Sequence, residues 1–264
     1  MSQASDAPPV SKGRRTAFIV LTVLFGLGLG LGAFAFLALV AAWFGVGDRE
    51  VHIVHDLAWG AHGGLLLAIP FLIQAVNPER KPAVMLGAAL AGLALAVGYA
   101  LSGVWLFVPV PIVIVGLLCW LHPARGDILP RGSRARTVAA VLAVVALTPF
   151  LVTYAFDEAA IQRACPPSGD QHCEEFHFAG MAALAFALPL VGLGASLRTR
   201  GSRIVAWLVG AASVVFGLSG VLYPDNLSSI GTRWGWAAVA AGVLFVAVAE
   251  WARRREQASI ESST

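Results

Sequence analysis

Two short segments hold most of the residues able to do chemistry. The first is His52-Ile53-Val54-His55-Asp56-Leu57-Ala58-Trp59-Gly60-Ala61-His62, and the second is His172-Cys173-Glu174-Glu175-Phe176-His177. Imidazoles and carboxylates together suit two kinds of chemistry. They ligate metals such as zinc or iron, and they take up and release protons near neutral pH.

At helical spacing, His55, Trp59 and His62 share one face. His62 then lies about 12 Å along that helix, inside its apolar part, where an ionisable residue is a functional candidate. Glu174 and His177 stand at i and i+3, a Glu-x-x-His step that supplies metal ligands in helical bundles. The sequence therefore offers His62, Asp56 and Glu175 as a polar, proton-handling set. It offers His55, Glu174 and His177 as metal ligands. His52 and His172 read as solvated loop residues, and so does His122 at the opposite boundary. Asp157 and Glu158 read as the end of a helix, and Glu250 as a partner of the arginines that follow it.

The chain holds three cysteines and no CxxC pair. Cys165 and Cys173 flank a polar loop, where a disulfide is expected if the loop faces an oxidising compartment. Closing so short a loop is worth roughly 2.6 kcal/mol in the chain-entropy model, and it would hold His172 and Glu174 in place. Cys119, inside an apolar stretch, reads as a packing residue.

These segments must be positioned by a membrane-embedded scaffold. The 264 residues are 58% hydrophobic and only 12% charged, against about 25% charged in soluble domains. No basic stripe, zinc-finger spacing or aromatic-basic interleaving points to nucleic acid. The partner implied is the lipid bilayer.

A bilayer core needs about 20 apolar residues per helix. Eight stretches meet this need: roughly 16–46, 54–75, 83–101, 104–121, 137–156, 176–196, 203–222 and 233–251. The fold class expected is thus all-α and polytopic, with eight transmembrane helices. Residues 1–15 and 253–264 read as disordered tails and 123–136 as a linker. Leu101-Ser102-Gly103 makes a poor loop, and Pro109 and Pro111 suggest a kinked or re-entrant segment after it.

Charge orients the helices. With the N-terminus inside, the inner segments hold Lys12, Arg14, Arg15, Arg80, Lys81, Arg125, Arg131, Arg134, Arg136, Arg198, Arg200, Arg203, Arg253, Arg254 and Arg255. That is fifteen of the 18 basic residues. Only Arg49, Arg163 and Arg233 fall outside. Both ends are then cytoplasmic, the protein sits in the cell membrane, and both histidine segments lie at the outer face.

Residues 16–122 and 137–252 read as two copies of one four-helix unit. His52 pairs with His172 and Gly60 with Gly180 at the same offset. Pro70 pairs with Pro189, and Leu101-Ser102-Gly103 with Leu218-Ser219-Gly220, at slightly smaller offsets. Four helices per copy is an even number, so this is a parallel repeat about an axis along the membrane normal. Copies packed about such an axis would bring the two histidine segments together. The first helix also carries overlapping GxxxG pairs, Gly26/Gly30 and Gly28/Gly32, which suit close helix contact within the bundle.

On His55-Asp56-Leu57-Ala58-Trp59-Gly60, Pro78-Glu79-Arg80-Lys81-Pro82 and Gly180-Met181-Ala182-Ala183, the chain resembles multi-pass membrane proteins of high-GC bacteria. That resemblance implies a membrane location and no particular activity. Haem A synthase is similar in having eight helices in two halves and an outer cysteine pair. The sequence departs from it on helices 4 and 8, which carry only His122 and no histidine respectively where axial ligands would be needed. The function expected is a transporter or transport-associated protein with an outer His/carboxylate site. The alternatives are a metal- or haem-binding redox protein or enzyme, and a non-catalytic assembly component. No cofactor is required by the sequence; zinc, iron or haem are the ones it would accommodate.

Overall fold

A computed structural model describes residues 11–44, 52–129, 138–166, 170–197 and 199–261. The described residues are helical, with no strand among them. Among the described residues, nine helical segments carry the fold. They are α1 (Lys12–Gly32), α2 (Ala35–Ala41), α3 (Ile53–Gln74), α4 (Pro82–Leu101), α5 (Trp105–Leu121), α6 (Val138–Ala164), α7 (His177–Ser196), α8 (Ser202–Leu222) and α9 (Gly231–Glu261). Six helices, namely α1, α3, α4, α7, α8 and α9, are long and apolar enough to cross a membrane. The apolar helix α5 is shorter, and α6 spans 27 residues with Pro149 inside it.

The first apolar stretch is not one helix. Residues 28–32 widen into a π-helical turn, and Phe34 then adopts a left-handed backbone (φ 57) that ends α1 before α2 begins. The Gly-rich run is also less of a helix contact than its spacing suggests. A side chain at Gly26 would meet Leu72 of α3, whereas Gly28 and Gly32 have open space around them. Phe36 lies over Gly30 instead.

Other boundaries differ from expectation for local reasons. Residues 12–15 are helical, because the Ser11 hydroxyl accepts from Arg14 N at 3.3 Å and caps α1. Residues 253–261 continue α9 without a break. Residues 1–10 and 130–137 of the expected tail and linker lie outside the described residues, as do Asp48, Arg49, Glu50, Arg131, Arg134, Arg136 and Arg198. Pro109 and Pro111 kink nothing. They stand in the first turn of the α-helical part of α5, Pro109–Leu121, where a missing N–H costs no intrahelical bond. Gly103 (φ +78) makes the reversal that lets α4 end at Leu101.

Among the six long apolar helices, α7 is the most buried. It packs against α4, α6 and α8, and α8 in turn packs against α3 and α9. The backbones of α8 and α9 come close along their length, since a Cβ at Gly217 would lie 2.6 Å from the Gly235 carbonyl and one at Gly242 2.6 Å from the Gly210 carbonyl. Small residues permit this approach, and packing drives association where lipid removes the hydrophobic contrast.

At one end of the bundle a polar network joins α1, α3 and α5. His122 is not a solvated loop residue but fully buried. Its Nδ1 accepts from Ala124 N at 3.0 Å, and its Nε2 lies 3.2 Å from Gln74 Oε1. Arg14 donates to the carbonyls of Leu121 and His122, satisfying the open C-terminal end of α5. Burial, with help from the Arg14 charge, pushes the His122 imidazole down to about 4. Glu250 meets Arg253 as expected, and also Arg203 and Trp207. The histidine segments meet elsewhere in the bundle.

Candidate metal centre

Three elements deliver the four histidines. His52 precedes α3 and His55 sits in its first turn. His172 lies on a single helical turn, Gln171–Glu174, that Asp170 caps by accepting from His172 N at 2.9 Å. His177 opens α7. Between the turn and α7, Phe176 takes a left-handed backbone (φ 57), so the two helical pieces are not continuous.

Cys165 and Cys173 are joined by a disulfide, S–S 2.01 Å, which ties the end of α6 to the turn that carries His172. Gln162 of α6 braces the same corner. Its amide donates to Cys173 O at 3.0 Å, and its carbonyl accepts from Ala179 N at 3.3 Å.

The four rings face one another. His52 stacks on His172 with centroids 4.2 Å apart, and His55 on His177 at 5.1 Å, each pair with planes 24° apart. The two pairs meet edge-on or tilted, with His52 to His177 and His55 to His172 both at 5.1 Å. One ring nitrogen from each residue lies within 4.8 Å of the others, a set able to hold one metal ion. His55 and His172 are buried, while His52 and His177 are half-buried.

Three rings have a further polar partner, a carboxylate for two and a serine for the third. His172 Nδ1 lies 3.1 Å from Asp170 Oδ1. His177 Nε2 lies 3.0 Å from Glu175 Oε2. His55 Nε2 lies 3.1 Å from Ser228 Oγ, which donates to Glu158 Oε2 at 2.7 Å. Metal-bound histidines are held in this way: a partner on one nitrogen fixes the tautomer and leaves the other as ligand. The Nδ1 atoms of His52, His55 and His177 are buried with no hydrogen-bond partner. Three buried ring nitrogens without partners in one cluster call for an occupant. Asp170 and Glu175 are kept charged by local bonds. The backbone N–H of His172 holds the Asp170 carboxyl below its ordinary value, and the Gln171 amide does the same for Glu175.

A cavity of about 370 Å³ opens beside this set. His55, His177, Asp56, Glu175, Trp59 and Tyr99 line it, with Phe34 and Leu37 from the broken first segment closing one side. Trp59 is fixed by donating to Ala33 O at 2.8 Å.

The residues singled out in the sequence are thus divided. Asp56, Glu175, His55 and His177 come together. Glu174 does not join His177, because the left-handed turn at Phe176 removes the helical i, i+3 relation and leaves Glu174 exposed beside the disulfide. His62 does not join Asp56 and Glu175 either. It is 1% exposed and points to α4, with Nε2 3.0 Å from the Ala91 carbonyl. His62 lies in a π-helical run over Gly60–Ala68, whose wider turn departs from the 3.6-residue spacing that would put it on the His55 face. The structure adds His52, His172 and Glu158, which the sequence had placed in loops or at a helix end. The signal for the first two was the 120-residue pairing itself.

The chain matches no family model, no curated protein and no solved structure.

Proposed function

We propose that this is an integral membrane protein that binds a divalent transition metal on His52, His55, His172 and His177, at the outer end of an eight-helix bundle. The observation that carries the reading is a set of four histidines with one ring nitrogen each within 4.8 Å of the others, in which His55 and His177 pair an orphaned Nδ1 with a serine or carboxylate partner on Nε2. Four neutral imidazoles in that arrangement favour zinc, with copper, nickel or iron(II) as competitors. The negative charges of Asp170 and Glu175 offset the charge of the ion.

Two four-helix copies in parallel provide the frame. α4 of the first half packs on α7 of the second, and α8 of the second packs on α3 of the first, as a twofold relation requires. His52 and His172, equivalent in the two copies, then meet on the axis. Fifteen of the 18 basic residues support cytoplasmic termini in the cell membrane, and the disulfide beside His172 suits the outer, oxidising side. The kinship with multi-pass proteins of high-GC bacteria is part of the same proposal.

Passage of the ion is a second reading. It is favoured by the cavity, which places Asp56 and Glu175 next to His55 and His177.

Metal analysis of the purified protein tests the main reading. One zinc per chain is expected after loading and washing, lost in His55→Ala and His177→Ala. A wild-type protein that takes up no zinc, copper, nickel or iron from buffered solution overturns it. Zinc flux into proteoliposomes, abolished by the same substitutions, tests passage.

A further inference from the structure

Glu158 sits on α6 at 4% exposure. No basic side chain pairs with it among the described residues. Its described hydrogen bond to the histidine end is the one it accepts from Ser228 Oγ. A charged carboxylate buried without a cation is costly, by several kcal/mol in real proteins, so Glu158 either holds a proton or answers a positive charge. Ser228 links it to the ring of His55, where such a charge would reside.

We propose that Glu158, acting through Ser228, is the positioning residue and counter-charge of the metal on the four histidines. The inference rests on the metal reading and extends it to residues outside the ligand set. The hydroxyl of Ser228 has one proton, and the 2.7 Å bond gives it to Glu158. Its oxygen is left to accept, so His55 must carry its proton on Nε2 at 3.1 Å. His55 Nδ1 is thereby left with its lone pair, buried and without a hydrogen-bond partner. The chain from carboxylate to hydroxyl to imidazole thus selects Nδ1 as the ligand atom. An ion bound there supplies the charge that Glu158 lacks.

The backbone is shaped for this role. Ser228 stands in the loop between α8 and α9 with a left-handed conformation (φ 61). Its carbonyl accepts from the Tyr154 hydroxyl at 2.6 Å. Tyr154 and Glu158 are one turn apart on α6, so one helix face fixes both ends of Ser228. A strained loop residue held in this way is a feature of sites that must place one atom accurately.

The test uses two full-length variants in detergent. Glu158→Gln keeps the shape and removes the charge. Ser228→Gly removes the hydroxyl and relieves the positive φ, so it keeps the fold even where Glu158→Gln does not. Zinc affinity by chelator competition and the ligand-field spectrum of the cobalt(II) form are measured on each. The expected result is one metal per chain in both, bound about 10- to 100-fold more weakly, with a shifted cobalt spectrum. A purely structural role for Glu158 would lower the melting temperature without moving the spectrum. If the wild type binds one metal and both variants match it in affinity and spectrum, the inference is overturned while the four-histidine site stands. If the wild type binds none, the site itself falls.

Discussion

His52 and His172 stack ring on ring at 4.2 Å although they belong to opposite halves of the chain. The contact joins the start of α3 to the turn before α7, and everything proposed about the metal passes through it. If the two rings serve one ion, they act as a unit. His52→Ala and His172→Ala are each expected to weaken zinc binding by at least tenfold. The double variant should lose much less than the sum of the two changes, because residues sharing a partner are non-additive. Chelator competition on the three proteins measures this; strictly additive losses would mean that the rings do not share a ligand.

The disulfide holds the turn that carries His172. Its reduction, or the pair Cys165→Ser and Cys173→Ser, should cost roughly 2.6 kcal/mol of stability by loop entropy. It should also weaken zinc binding, since His172 loses a fixed neighbour. Thermal unfolding and zinc affinity with and without reductant read both effects. Unchanged affinity after complete reduction would show that Asp170 and Gln162 suffice to hold the turn.

His62 should prove to be a packing residue. His62→Ala removes a buried hydrogen bond to Ala91 O and leaves a void beside α4, with a cost of about 2–4 kcal/mol. Zinc stoichiometry and affinity should stay at the wild-type level. A variant that is stable but has lost its metal would restore His62 to the site.

His122 sets a pH dependence at the other end of the bundle. Its folded value of about 4 lies below the ordinary 6.5. Above pH 6.5 the ring is neutral in both the folded and unfolded chain, and it contributes no slope. As pH falls from 6.5 to 4, the unfolded chain takes up a proton that the folded one refuses. Stability therefore falls over that window, by at most about 1.4 kcal/mol per pH unit. Below 4 the loss levels off. His122→Gln should flatten the curve between pH 6.5 and 4, which melting temperatures in detergent will reveal. An unaltered curve would assign the acid sensitivity to other groups.

How much of this was legible in the sequence depends on the physics of each element. Apolar length and sparse charge were enough to indicate a membrane-embedded helical protein, because the bilayer permits little else. The spacing of His52 from His172 marked where two segments converge, but it could not say that both rings face inward. Two backbone events hid the rest. The π-helical run from Gly60 breaks the 3.6-residue period on which the stripe from His55 to His62 depended. The left-handed Phe176 breaks the step from Glu174 to His177, and a phenylalanine gives no warning of such a conformation. Glu158 was hidden by its neighbours, since Asp157 beside it and the polar residues after it look like a helix end. In fact α6 runs on to Ala164.

The π-helical run of α3 also has a consequence for how the chain can change. A helix that opens to a wider turn accommodates a surplus residue without altering either of its ends. Removing one residue between Gly60 and Ala68 would let α3 close into a uniform α-helix. The two ends of α3 would then keep their relative rotation, because the bulge holds the residue that is surplus to an α-helix. Such a deletion would leave composition, length and hydropathy almost untouched and keep His52 and His55 on their partners, while side chains within the run, His62 among them, would turn. The same deletion outside the run would rotate one half by about 100° against the other, so single-residue deletions along α3 would locate the surplus residue more surely than any side-chain replacement.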